Sequence, residues 1–259
     1  MYHFFVNREH ISDEYIDIIG EDYNHAVNAL RMKEGEALLI SDEKGIDYSC
    51  EVLFIERDCE EPYLRARILS INEENHELKS RIWLFQGLPK SDKMELIVQK
   101  ATELGVSDIV PTINKNCVVK LDYKKAASKV QRWQAIAESA AKQSKRSMIP
   151  KLYMPMKFTE AVKQCESFEV KLIPYENEKG IMSMCEAIVS FLPNRDIAVF
   201  IGPEGGFDQM EVKFAENHGI MPVSLGKRIL RTETAAIAML SMIMIRLEIA
   251  DEIDFETEE

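Results

Sequence analysis

The chain has 259 residues, 46% hydrophobic and 29% charged, the profile of a soluble globular protein of one large or two ordinary domains. No apolar run approaches the ~20 residues that span a bilayer, and the opening MYHFFVNREH lacks the length and flanks of a signal peptide. A cytoplasmic protein is therefore expected. Net charge is −12, which by itself argues against a nucleic-acid partner, but the charge is segregated. Between Thr112 and Lys157 stand eleven Lys/Arg and two acids, Asp122 and Glu138, a local +9 that leaves −21 on the rest of the chain.

In chain order, residues 1 to about 70 read as short strands. EALLIS and IDYSCEVLFIE flank the hairpin signal DEKG, and YLRARILSI adds a further strand. NHAVNALRMKEGE predicts one short helix ending near Gly35. This spacing predicts a small β-rich domain, a barrel, over residues 1–72. NEENHELKS is polar and aperiodic and predicts the linker into a second domain, 73–259. There RIWLF predicts a buried strand, and SDKMELIVQKATELGV a helix with an Asp92–Glu95 capping box and one apolar face closed by Gly105.

DIVPTI, FEVKLIPY, DIAVFIG and PVSL predict further strands. SKVQRWQAIAESAAKQSKR, DQMEVKFAENHG (capped by Asp208 with Glu211) and TAAIAMLSMIMIRLEIA predict helices. Strand–helix alternation implies a mostly parallel α/β sheet. The tail DEIDFETEE, six acids in nine residues, predicts a solvated, mobile end. The five cysteines form no CxxC pair and the five histidines no HxxxH pair, so reduced packing thiols and no metal site are expected.

IGPEGGF, Ile201 to Phe207, follows the strand DIAVF with three glycines, a proline and Glu204. It is neither GxxxxGK[ST] nor GxGxxG, and Glu204 would repel a triphosphate. An ordinary Gly-rich turn has the same composition. A backbone-rich loop at a strand's carboxyl end also suits a flat, uncharged group such as adenine. The second such stretch is LGKRILRTETAA, Leu225 to Ala236. Leu225, Ile229 and Leu230 could make an apolar slot, while Arg228 and Arg231 bring cations to the start of the last helix.

Together IGPEGGF, LGKRILRTETAA and GLPKSDKMELIVQKATELGV closely resemble the RsmE family of SPOUT-class RNA methyltransferases; AAKQSKR and HAVNALRM match less well. The resemblance covers nearly the whole chain in order. It implies a PUA-like β-barrel, then a SPOUT-type α/β domain with a C-terminal trefoil knot, a homodimer, and methylation of N3 of a uridine in bacterial 16S ribosomal RNA.

It also implies an S-adenosylmethionine site made by Gly202, Pro203, Glu204, Gly205 and Gly206, by Leu225, Gly226, Ile229 and Leu230, and by a third loop near Pro174 and Tyr175. Arg231 is expected as the cation that stabilises the developing uracil anion. Glu204 and Glu233 are candidate bases, with a purely structural role for Glu204 equally open. Lys142, Lys145 and Arg146 in AAKQSKR, with Arg8 and Arg31 in the first domain, are expected RNA contacts. The motif departs from the family at Lys142 and Lys145, where an acid and a small residue are usual. The competing functions are a non-catalytic RNA-binding or ribosome-assembly protein on the same fold, and a nucleotide enzyme, which the missing phosphate loop disfavours.

Overall fold

A computed structural model describes residues 1–42, 44–72, 76–119, 121–176, 182–189 and 191–257. The chain divides into two compact units, one of residues 1–77 with 141–149, the other of 78–140 with 150–259. A single boundary at 72/73 does not capture the return of 141–149 to the first unit.

That unit is built on a five-stranded sheet: β1 (Tyr2–Val6), β2 (Tyr15–Ile19), β3 (Ala37–Asp42), β4 (Asp47–Glu56) and β5 (Tyr63–Asn72). The order is β1-β3-β4-β5-β2, with β1 parallel to β3 and the other pairs antiparallel. Two register shifts between β4 and β5 bend the sheet. Alternate residues (Phe4, Ile16, Ile18, Leu38, Ile40, Leu64, Ala66) are fully buried in one core. The β3–β4 turn is made by Asp42, whose Oδ1 accepts the N–H groups of Lys44 at 2.8 Å and Ile46 at 2.9 Å; Glu43, within the expected DEKG turn, lies outside the described residues. The expected helix near 24–36 starts and stops earlier: α1 (Gly20–Asn24) passes into a single π turn over His25–Ala29. Gly35, at φ +83°, belongs to the turn before β3.

A buried polar chain ties 141–149 into this unit. His3 Nε2 meets Ser41 Oγ at 2.7 Å, Ser41 donates to Asp47 Oδ1 at 2.5 Å, and Ser147 donates to Asp47 Oδ2 at 2.8 Å. Burial lowers the pKa of His3, outweighing the opposing pull of the Asp47 carboxylate and the Lys142 backbone; the Lys142 ammonium adds to the lowering. The folded state therefore binds fewer protons here than the unfolded chain. Its contribution is fully present above the ordinary value of 6.5 and is lost as pH falls below it. We expect Tm to decline as pH falls below 6.5 and His3→Asn to flatten that decline, measured by thermal denaturation across pH; an unchanged slope in the variant refutes the assignment.

The second unit carries seven strands: β6 (Arg81–Gly87), β7 (Asp108–Ile113), β8 (Lys151–Leu152), β9 (Met156–Lys157), β10 (Val170–Pro174), β11 (Asp196–Ile201) and β12 (Met221–Val223). Every pairing is parallel, in the order β12-β10-β11-β6-β7-β8 with β9 also on β7. The helices are α2 (Lys93–Glu103), α3 (Tyr123–Ser144), α4 (Phe158–Gln164), α5 (Met182–Val189), α6 (Gln209–Glu216) and α7 (Thr232–Thr257).

Strand alternation sorts two faces. Trp83, Phe85, Ala198 and Phe200 pack with residues of α4 and α6, and Phe85 stacks on Phe200 at 4.5 Å. Ile82, Leu84, Ile197 and Val199 are buried on the other face, as are Met94, Ile97 and Val98 of α2 and Met239, Leu240 and Ile243 of α7. The mostly parallel α/β expectation holds. The Asp208–Glu211 capping box forms. The one at Asp92 does not: its side chain makes no cap bond, and the Glu95 carboxylate accepts from Arg132 at 2.9 Å instead. Through Thr257 the acidic tail continues α7.

All five cysteines are free; Cys50 and Cys165 are packing thiols, pushed by burial up to about 12 and about 11, whereas Cys59 and Cys185 are exposed and do not fit that expectation. Among the described residues no acidic, His or Cys cluster could hold a metal, and no helix is long and apolar enough to cross a membrane.

Candidate active site

The carboxyl ends of β10, β11 and β12 open onto one cavity of about 350 Å³. Each strand contributes the loop that follows it: Pro174–Glu176, Ile201–Phe207 and Ser224–Arg231. Lys93, from the first turn of α2, and Thr232 and Ala235, from α7, complete the wall. Ligand sites of parallel sheets lie at this end of the strands, where backbone groups are not consumed by the ladder.

The glycines of the first loop have separable jobs. Gly206 donates its N–H to the Pro203 carbonyl at 2.8 Å in a tight turn and sits at φ +65°, where a side chain is strained. A Cβ there would meet no atom within 4 Å, and the same holds for Gly226 at φ +107°. Both line the cavity, so side chains at these positions would occupy open space. Gly205 differs. It does not line the cavity, and its missing Cβ faces Asn116, which would lie 2.9 Å away. Asn116 Nδ2 also donates to the carbonyls of Gly205 and Gly206 at 3.0 and 3.2 Å. Gly205, expected as a ligand contact, thus packs closely against Asn116.

On the opposite side the loop is held by β6. Gln86 is fully buried and donates to Thr232 Oγ1 at 2.9 Å, and Thr232 donates to the Gly202 carbonyl at 2.6 Å. At Gly87 the chains nearly touch: a Cβ would stand 2.6 Å from both Cδ and N of Pro203.

Glu204 is bound to its surroundings. Its Oε1 accepts the Lys90 N–H at 3.0 Å and lies 3.3 Å from Lys93 Nζ, which also reaches Glu233 Oε2 at 3.3 Å. Burial pushes the Glu204 carboxyl up, but its own N–H, that of Lys90 and the Lys93 ammonium together outweigh burial and hold it below the ordinary range. A carboxylate so stabilised is a poor proton acceptor. Lys93 thus bridges the glycine loop and the first turn of α7, a role that nothing in the sequence spacing signals.

Leu225 and Leu230 are half-buried against the cavity, but Ile229 is 85% exposed and stands at its rim, not in an apolar slot. Arg231 is exposed, lines the cavity and precedes α7, its carbonyl accepting the Ala235 N–H at 2.8 Å. Arg228 and Lys227 share that rim, while Glu176 and Glu204 supply negative charge. Pro174 and Tyr175 belong to the wall, as the third loop was expected to.

The expected RNA contacts in the first unit fare unevenly. Arg146 is 5% exposed and grips Glu77, with Nη2 at 2.5 Å from Oε2. It is corrected from a phosphate contact to a buried ion pair, because a carboxylate 69 residues away neutralises it. Lys142 pairs with Asp22 at 2.8 Å with a largely covered side chain. Lys145 and Arg31 are exposed, and Arg8 is half-exposed and pairs with Asp42 at 2.8 Å.

Comparison with known proteins agrees with this geometry. Residues 76–244 match the RNA methyltransferase domain family and residues 18–58 the RNA methyltransferase PUA domain family. The Ribosomal RNA small subunit methyltransferase E of Bacillus subtilis (strain 168) is 36% identical over 235 residues, covering 90% of each chain. The crystal structure of that enzyme from Neisseria gonorrhoeae, bound to S-adenosyl methionine, superposes with a TM-score of 0.81 at 31% identity, over 95% of this chain and 97% of that one. A Legionella pneumophila methyltransferase solved with the same cofactor gives a TM-score of 0.80 at 32% identity, over 94% and 97%. The chain belongs to the ribosomal RNA small subunit methyltransferase E family, a family of RNA methyltransferases with a PUA domain.

Proposed function

We propose that the protein methylates N3 of one uridine in 16S ribosomal RNA, in the cytoplasm, using S-adenosylmethionine bound in the cavity between the three loops. This reading stands on a cavity of about 350 Å³ walled by glycine backbone, with Gly206 and Gly226 at positive φ and no atom within 4 Å of where their side chains would begin. Its size is that of a small-molecule site. The donor set fits as well: backbone and half-buried leucines suit adenine, Glu176 and Glu204 suit a cationic ligand, and Arg228 and Lys227 suit a carboxylate. When bound, the cofactor supplies an activated methyl group on a sulfonium.

The chain's own residues do the rest. Arg231 stabilises negative charge that builds on the uracil as its N3 proton passes to solvent water. Glu204 orders the glycine loop and takes no proton. Target N3 lies on the pairing edge, so the base must be unpaired or extruded to reach the cavity. The family resemblance carries the trefoil knot, with the three loops that follow β10, β11 and β12 meeting at one cavity. It extends also to a homodimer, supported by Ile245, Ile249 and Ile253, each about half exposed at four-residue spacing along α7.

Isothermal titration with S-adenosylmethionine tests the site: one molecule bound per chain is expected, and no binding by folded protein refutes it. A further expectation concerns Lys93. Lys93→Met leaves Glu204 and Glu233 facing each other without their shared cation, and cofactor affinity should fall about tenfold, with Lys93→Arg retaining most of it. Equal affinity in Lys93→Met excludes this clamp.

A further inference from the structure

With Arg146 and Lys142 committed inside the first unit, a phosphate-facing surface must be sought elsewhere. The segment from 113 to 132 carries Lys115, Lys120, Lys124, Lys125, Lys129 and Arg132 against one acid, Asp122, a local +5. It leads from the end of β7 into the first half of α3. On that half, Lys124, Lys125, Ser128, Gln131 and Arg132 are all exposed, and at 100° per residue they share one arc of the helix. The opposite face, Ala126 and Trp133, is buried.

Apolar groups are exposed where the chain enters this helix, beside Lys124 in sequence and off the cationic arc. Tyr123, the first residue of α3, is 81% exposed, and Val118 is 68% exposed. The segment is also anchored to the active site. Asn116 holds the Gly205 and Gly206 carbonyls, the Lys115 N–H donates to Glu211 at 2.9 Å, and Lys115 Nζ meets Asp208 at 2.6 Å. Tyr123 follows Asn116 by seven residues, so it cannot lie more than about 25 Å from Asn116, which itself touches the glycine loop.

We propose that this strip binds the unpaired ribosomal RNA that flanks the target uridine, with Tyr123 stacking on a base while Lys124, Lys125 and Arg132 meet phosphates. The proposal rests on the methyl-transfer reading of the cavity. Single-stranded RNA is recognised by an aromatic ring set in a cationic track, because every base has a stacking face and every nucleotide a phosphate. The exposed pairs Lys125–Asp122 and Arg132–Glu95 do not oppose this, since solvent-screened ion pairs exchange readily for a phosphate.

The test uses the full-length protein and a short single-stranded RNA of mixed sequence, by fluorescence anisotropy at several salt concentrations. Tyr123→Ala should weaken binding about tenfold and Tyr123→Trp should not, because the ring matters and the hydroxyl does not. The double variant Lys124→Gln/Lys125→Gln should lower the salt slope by about 0.7 log unit per lost phosphate contact. Affinity for S-adenosylmethionine and the sedimentation coefficient should stay at wild-type values in all three. Wild-type RNA affinity in Tyr123→Ala together with an unchanged slope in the double variant overturns the proposal. So does an altered sedimentation coefficient in Tyr123→Ala, which would assign the ring to a second copy of the chain. Failure of the wild-type protein to bind S-adenosylmethionine would instead remove the reading of the cavity, and the RNA measurements would still stand by themselves.

Discussion

Arg231→Ala should methylate ribosomal RNA about a hundredfold more slowly than wild type in single turnover, at saturating RNA and cofactor. Arg231 stands at the cavity wall with its backbone fixed by the first turn of α7, so its guanidinium is presented from a rigid base. The uracil ring is neutral in the ground state and gains charge only as N3 loses its proton. A cation that acts on that charge lowers the barrier without tightening ground-state binding, so RNA affinity should change far less than rate. Arg231→Lys should recover part of the loss, since charge returns without the planar fork. A wild-type single-turnover rate in Arg231→Ala, with weaker RNA binding, would make Arg231 a phosphate contact.

Gly87→Ala should be the most disruptive of the glycine substitutions, although Gly87 lies outside the cavity wall. Its added Cβ would stand 2.6 Å from Pro203 Cδ and from Pro203 N, and 3.0 Å from the Gly202 carbonyl carbon. Two of these are backbone atoms of the glycine loop, and that loop is already pinned from behind by Thr232. Neither side can yield cheaply, so about 3 kcal/mol of stability should be lost and the loop displaced from its cofactor-binding shape. Denaturant titration and calorimetry read the two consequences. Gly205→Ala provides the contrast: its Cβ would meet one atom within 3.0 Å, the Asn116 Cβ at 2.9 Å, where Gly87 meets two at 2.6 Å, so the penalty should be smaller. Near-wild-type stability and cofactor affinity in Gly87→Ala would contradict this close approach of β6 to the glycine loop.

The sequence revealed what local pattern controls. The glycine loop, the basic loop before α7, the alternation of strands and helices and the Asp208–Glu211 cap all lie in runs of a dozen residues or fewer. What it concealed depends on distant partners. Arg146 and Lys142 read as solvated cations until Glu77 and Asp22, 69 and 120 residues away, neutralise them. The Asp92–Glu95 pair looks like a capping box, but Arg132 draws the Glu95 carboxylate away from the helix end. Lys93 gives no local hint of bridging two loops, because Glu204 and Glu233 come to it through tertiary packing.

Glycine is ambiguous for a related reason. Gly205 and Gly206 are neighbours in one motif, yet one packs against Asn116 and the other lines the cavity at positive φ. Composition cannot separate close approach to a ligand from close approach to the chain itself. The short helices α4 and α5 were not anticipated either. With seven and eight residues they are too brief for periodicity to stand out, and packing on the sheet sustains them.

The proposed reaction transfers one methyl group to uracil N3 of ribosomal RNA. It is tested most directly by incubating the protein with small ribosomal subunits that lack the modification and S-adenosylmethionine labelled in its methyl group. The RNA is then digested to nucleosides and the labelled species identified by mass spectrometry. A single labelled nucleoside, 3-methyluridine, is expected, formed by wild type and strongly reduced with Arg231→Ala. Label on a ribose hydroxyl or on another base, or no label with a protein that binds the cofactor, would contradict it.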